Sequence, residues 1–170
     1  MTNLYTETRH LHHEAENHEF AKAMIAGSLT DQQWVDWLGA LQKIHLVLDH
    51  YVPPHASCTH RLQKDLMTML PLSPNKLETV EKFIKTLDNP LNIGGAAYIF
   101  IAAHKRGGRV IEKAMREKGR DLPNNHVFFE HSKEVEMYIT ELREMVHLTK
   151  GAEHAFNSIT GIFDEIWGKQ

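Results

Sequence analysis

Apolar residues recur along this chain at spacings of three and four and almost nowhere alternate with polar ones, the pattern of amphipathic helices rather than strands. A first helix is predicted from Asn3 to Ile25: Leu4, Thr8, Leu11 and Ala15 form one stripe, Phe20 and Met24 extend it, and Gly27 is a natural stop. A second opens with Thr30 and Gln33 in capping-box spacing, carries Trp34, Leu38, Leu41, Ile44 and Leu48, and ends at Pro53-Pro54. A shorter helix is expected from Leu62 to Met69, ahead of Pro71 and Pro74, and another from Pro74 to Leu87 on Leu77, Val80, Ile84 and Leu87. "DNPLNIGG" (88–95) reads as an interruption, followed by helix from Ala96 through Met115. The last two helices cover Ser132 to Leu148 and Ala152 to Trp167, with a hinge near Lys150-Gly151. No internal repeat appears, so the reading is all-α: a single-domain bundle of six or seven helices spanning residues 1–170.

Composition narrows the function classes. Nineteen Lys and Arg against 22 Asp and Glu give a net charge of -3 with no block of like charge, which speaks against nucleic acid as a partner. Cys58 is the only cysteine, so there is no internal disulfide and no cysteine-clustered zinc site, in keeping with a reducing compartment. The longest apolar run, Ala96 to Ala103, falls short of the roughly 18 residues that span a bilayer, and the polar N-terminus does not resemble a signal peptide. The expectation is a soluble, cytoplasmic protein. Thirteen histidines are many, but scattered ones such as His50, His55, His60, His126 and His131 read as ordinary surface residues.

Two features carry chemistry. His12 and Glu16 are four apart and share a helix face; Ala15, small, lies between them in projection and leaves room for a flat or bulky object. His12 borders the apolar stripe, whereas His13 lies about 100° further round, so His12 is expected to be the more buried. A neutral imidazole oriented by a carboxylate is a good metal or heme ligand, and equally an ordinary paired histidine with no metal. The second feature is Gly107-Gly108, in mid-helix, where each glycine costs about 1 kcal/mol relative to alanine. Glycines there let backbone approach a ligand or bend the helix over it; a packing notch or a helix end explains them as well.

"LHHEAENHEF" (11–20) followed by Gly27 resembles the first helix of heme oxygenases, whose H-x-x-A-E motif supplies the proximal iron ligand. "AAYIFIAAHKRGGRVI" (96–111) resembles their distal helix, in which a tyrosine precedes a G-D-x-x-G-G segment lying across the heme face; Tyr98, Gly107, Gly108, Val110 and Ile111 match in order and spacing. "AFNSITGIFDEI" (155–166) is similar to their closing helix, with Phe156 and Phe163 in place. The resemblance implies an oxygenase that cleaves heme, both substrate and cofactor, to biliverdin, CO and iron, using O2 and electrons from a separate reductase or ferredoxin. It implies His12 as the metal ligand, Glu16 as its hydrogen-bonding partner, and Ala15, Ala103 and Phe156 against the heme. Gly107 and Gly108 would be the point of close approach, and Tyr98 a propionate or pocket contact.

Two departures stand out. The aspartate that in the family organises distal waters is replaced by His104, which could act as a general acid or base or become a second axial ligand. The latter gives an alternative, a non-catalytic heme carrier or sensor on the same fold. The basic residue seven positions before the proximal histidine is Tyr5, leaving Arg9, Lys133 and Arg143 as loose propionate partners. A di-iron carboxylate oxidase would need E-x-x-H elements on facing helices, and "EMVH" (144–147) is at most one. A thiamin-degrading enzyme would need its cysteine in a pocket, whereas Cys58 falls in a Pro/His-rich loop region.

Overall fold

The computed structural model describes residues 2–168, and helices with tight turns account for all the regular structure among them. Asn3 starts α1 (Leu4–Glu16) with a capping box: its side chain accepts from the Thr6 backbone, and Thr6 returns the bond to the Asn3 N–H. The predicted first helix is broken after α1. His18 ends the run by becoming the N-cap of α2 (Glu19–Ala26), its Nδ1 accepting from the Phe20 N–H at 3.0 Å. Because Nδ1 accepts, Nε2 carries the proton and donates to Asp164 at 2.6 Å. Gly27, at φ 69°, closes α2 as expected.

Thr30 and Gln33 form the anticipated capping box of α3 (Asp31–Leu48), whose Leu38, Leu41, Ile44 and Leu48 are fully buried. A single 3-10 turn at Pro54–Ala56 leads to α4 (Thr59–Thr68), and α5 (Glu78–Lys85) starts later than its proline signal suggested.

The expected interruption at 88–95 is instead the start of α6 (Pro90–Ala102). Asn89 caps it by accepting from the Asn92 N–H, and Pro90 occupies the first turn, where a missing N–H costs nothing. The glycine signal there belongs to packing. A Cβ on Gly95 would sit 2.3 Å from the backbone nitrogen of Ala152, and one on Gly151 would sit 2.5 Å from the Leu91 carbonyl oxygen. Helix α6 therefore crosses α9 (Thr149–Trp167) backbone against backbone. The predicted hinge at Lys150-Gly151 is thus helical, and the chain turns before it, where α8 (Ser132–Arg143) gives way to a 3-10 turn at Val146–Leu148.

Around the α6/α9 pair, α1 and α5 pack on α9, α8 packs on α6, α3 lies against α4, α5 and α9, and α2 packs on α7 (Arg109–Glu117) and α9. Between α6 and α7 the helix widens over Ala103–Gly108 into a π turn, the kind of local expansion that displaces a helix face without ending the helix. A Cβ on Gly108 would meet Val127 Cγ1 at 2.6 Å, so this glycine seats the π turn on the α7–α8 connection.

That connection is held by polar ties. Trp34 Nε1 donates to the Pro123 carbonyl at 3.1 Å, and Arg120 reaches both the Leu29 carbonyl and Asp31. Asp65 of α4, fully buried, accepts from the Asn125 backbone and side chain (2.8 and 2.7 Å) and from the His126 N–H and Nδ1–H (3.1 and 2.8 Å). His126 is therefore a buried residue and not the surface one expected, because the carboxylate beneath the loop gives its ring a partner. Burial alone would raise the Asp65 carboxyl, but the hydrogen bonds from His126 and Asn125 outweigh it and hold the group below its usual range.

Two outcomes follow from these contacts. Gly95→Ala should destabilise the fold by about 3 kcal/mol, the upper end for an over-packed core, measured as a lower denaturation midpoint with an unchanged slope. Asp65→Asn places an NH2 among four donors and should cost about 2–4 kcal/mol at neutral pH. The Asp65 contribution is fully present above the ordinary aspartate range of about 4 and fades as pH falls through the lower folded value, so wild type and variant should converge in acid.

Candidate functional site

A cavity of about 390 Å³ opens between α1 and the π turn, a size within the range of small-molecule sites. Its walls are mostly apolar: Met24 and Ile25 from α2, Trp34 and Trp37 from α3, Phe156, Ile159 and Phe163 from α9. Its polar groups are few. His12 and Glu16 lie on the α1 wall, His104 lies on the π turn, and Asn124 and His126 come from the α7–α8 connection.

On the α1 wall, Ala15 is buried and the His12 ring lies 5.9 Å from that of Phe156. His12 is the more buried of the two histidines, as its register suggests, but only by a little: its side chain is 46% exposed, against 58% for His13. What separates them is direction, since His12 lines the cavity and His13 does not. His12 Nε2 stands 3.1 Å from Glu16 Oε1. Glu16 thus flanks the His12 ring as a neighbouring carboxylate of the kind that orients a metal-binding imidazole.

Opposite, Ala103, His104, Gly107 and Gly108 line the cavity. A Cβ on Gly107 would meet nothing within 4 Å. The two adjacent glycines thus do different work: Gly108 makes room for Val127, and Gly107 leaves bare backbone facing the void.

Tyr98 does not line the cavity. Two residues before Phe100, it lies about 200° round the helix from that cavity-facing side chain, buried near Arg106, Arg143 and Tyr5. Arg9, Lys133 and Arg143 are likewise absent from its walls.

Behind His104 lies a group that the sequence reading missed. His104 Nε2 is 2.8 Å from His45 Nε2 of α3, and its ring stands 5.3 Å from that of His126. His45 and His104 are both buried, which lowers their affinity for a proton; for His104, neighbouring His45, His126 and Arg61 lower it further, while Asp49 partly offsets the effect on His45. The signal was present, since His45 sits four residues after Leu41 and three before Leu48 on the stripe that buries α3.

Cys58 Sγ completes the one grouping among the described residues in which three side chains of metal-binding type, with His45 and His104, bring their donor atoms within 4.8 Å. It contains no carboxylate, unlike a di-iron carboxylate centre. Cys58 is wholly buried and outside the cavity; burial pushes its thiol up to about 12 despite Arg61 close by, so it is not a ready nucleophile.

Neither a family sequence model nor a curated protein sequence matches this chain. Solved structures do match. The heme oxygenase of Leptospira interrogans superposes with a TM-score of 0.82 at 14% identity, over 95% of this chain and 97% of that one. Heme oxygenase-1 of the cyanobacterium Synechocystis, solved in complex with heme, gives 0.79 at 12% identity over 98% and 90%. Heme oxygenase-2 of the same cyanobacterium, in complex with heme and NO, gives 0.79 at 15% over 96% and 82%. This chain has the heme oxygenase-like all-α fold over nearly its whole length.

Proposed function

We propose that the chain is a heme oxygenase, cleaving heme with O2 to biliverdin, CO and free iron, with electrons from a separate reductase or ferredoxin in the soluble phase. The observation that carries this reading is the pairing across one apolar cavity of an imidazole, His12, with side-chain-free backbone at Gly107. A flat, largely apolar ligand with a metal at its centre is what such a gap accommodates, and the likeness of fold to heme-bound oxygenases supports it.

The residues present fit the group. Heme would supply both the carbon skeleton that is cut and the iron that activates O2. His12 would hold the iron through an unprotonated ring nitrogen, with the Glu16 carboxylate beside the ring to orient it. Ala15 and Phe156 would border the ring from α1 and α9. Gly107 would allow the π turn to approach the opposite face, and the apolar walls from α2, α3 and α9 would keep bulk water out. His104 is the titratable side chain that the π turn brings to the cavity, and its burial favours the neutral ring. The carrier or sensor reading keeps a specific observation in its favour, because an imidazole at this position can also ligate iron.

Titration with hemin followed by ascorbate in air tests the proposal. Wild type should form a 1:1 Soret complex that bleaches to a broad biliverdin-like band, and His12→Ala should bind hemin at least about tenfold more weakly and fail to turn it over. A sharp, persistent low-spin spectrum that depends on His104 would support the carrier, and absence of a Soret complex would remove heme as the ligand.

Gly107→Leu separates binding from folding. Leucine exceeds glycine in helix propensity by up to about 1 kcal/mol, and its Cβ meets open space. The variant should be as stable as wild type or more so on thermal melting, yet lose most of its hemin affinity. Unimpaired hemin binding by a folded Gly107→Leu would remove the close-approach role.

A further inference from the structure

The two nitrogens between His45 and His104 are 2.8 Å apart, a distance at which one must donate and the other accept. With both rings neutral, a single proton lies between them, and whichever ring supplies it has no proton on its Nδ1. The structure contains the group that decides the choice.

His45 is fully buried, and its Nδ1 has no hydrogen-bond partner. The carboxylate nearest it is that of Asp49, the C-cap of α3, whose Oδ1 lies 3.8 Å away, one helical turn further along. Asp49 cannot swing away easily, because its carboxylate accepts from the Cys58 N–H at 3.1 Å and from the Thr59 N–H at 2.8 Å, at the start of α4. Burial would raise the Asp49 carboxyl, but the facing His45, followed by hydrogen bonding from Thr59, brings it down to about 2, so it is ionised at neutral pH. At 3.8 Å the coupling to His45 is electrostatic rather than a full hydrogen bond, and it acts where little water screens it. An N–H on Nδ1 faces the carboxylate favourably; a bare lone pair there would face a negative charge.

We infer that Asp49 and His45 are positioning residues that hold His104 as the Nε2–H tautomer, so that its unprotonated Nδ1 is the nitrogen presented toward the cavity. With the proton of His45 on Nδ1, its Nε2 is bare and accepts from His104 Nε2–H. His104, neutral, then has its lone pair on Nδ1, the one ring nitrogen not engaged by His45. Arg61 and His126, the other groups of like charge about the pair, oppose a second proton that would erase the arrangement. The polar end of the cavity is thereby an acceptor. It suits an occupant that brings a hydrogen-bond donor or a metal to that point, and disfavours one that brings another acceptor. Asp49 and His45 exert this effect through His104 without lining the cavity themselves. The inference concerns rings of the free protein and does not depend on the ligand being heme.

Long-range 1H–15N correlation spectra of the histidine-15N-labelled protein, without ligand and near neutral pH, read the tautomers directly. His45 should appear as Nδ1–H and His104 as Nε2–H, each in roughly tenfold or greater excess over its alternative, with His45→Leu identifying the His45 signals. Asp49→Asn, whose side-chain oxygen can still accept the bonds at the start of α4, should shift both rings to mixed tautomers while leaving the His126 signals in place. A wild-type His104 found as Nδ1–H, or a tautomer unmoved in a folded Asp49→Asn, would overturn the inference.

Discussion

The contact on which the rest of the structure depends is the crossing of α6 and α9 at Gly95 and Gly151. At that point the helices touch through backbone atoms, with Gly95 against Ala152 and Gly151 against Leu91. Both walls of the cavity that face α1 are set from there. The π turn extends directly from α6, and Phe156, Ile159 and Phe163 lie within the next turns of α9. A close crossing with no intervening side chains is stiff, since interiors are packed too densely to accommodate an added methylene without displacement. The spacing between His104 on one helix and Phe156 on the other is therefore inherited from two glycines that do not line the cavity.

Much of this was legible in the chain, and the failures share a cause. Helical periodicity found the long helices and their caps at Thr30 and Gly27, because those signals are local. Glycine misled twice. At 94–95 and at 151 it was read as a break, when both positions are helical, Gly151 in the first turn of α9, and the glycine answers to a neighbour far away in sequence. The break that does exist, at Asn17-His18, carries no glycine or proline. It depends on a histidine accepting from one helix while donating to another 146 residues away. His12, Ala15, Glu16, His104, Gly107, Gly108 and Phe156 do surround one cavity, while Tyr98 faces away by helical register. His126 gave no signal, because its partner Asp65 is on a different helix.

The sequence departure that seemed most consequential, a histidine at position 104, acquires a physical context. It is one of three buried imidazoles, each tied to a different carboxylate or to another ring. Burying so much polarity beside an apolar cavity is costly unless every group is oriented. Here Asp65 anchors one end through His126, and Asp49 faces the other through His45. The arrangement reaches from α4 across α3 to the π turn, so the chemistry available at the cavity is shaped by residues in layers that never meet its contents.

His18 links three of these themes in one ring. It starts α2, it lies 5.3 Å from the Phe163 ring in the cavity wall, and its Nε2 grips Asp164 on α9. Helix α1 presents His12 on one side of it, and α2 presents Met24 on the other. The corner at Asn17-His18 thus ties two helices through one ring: a shift of α9 at Asp164 loads either the His18–Asp164 bond or the cap on α2. The wall that carries Phe163 and the start of the helix that carries Met24 are therefore not independent surfaces, because one imidazole belongs to both.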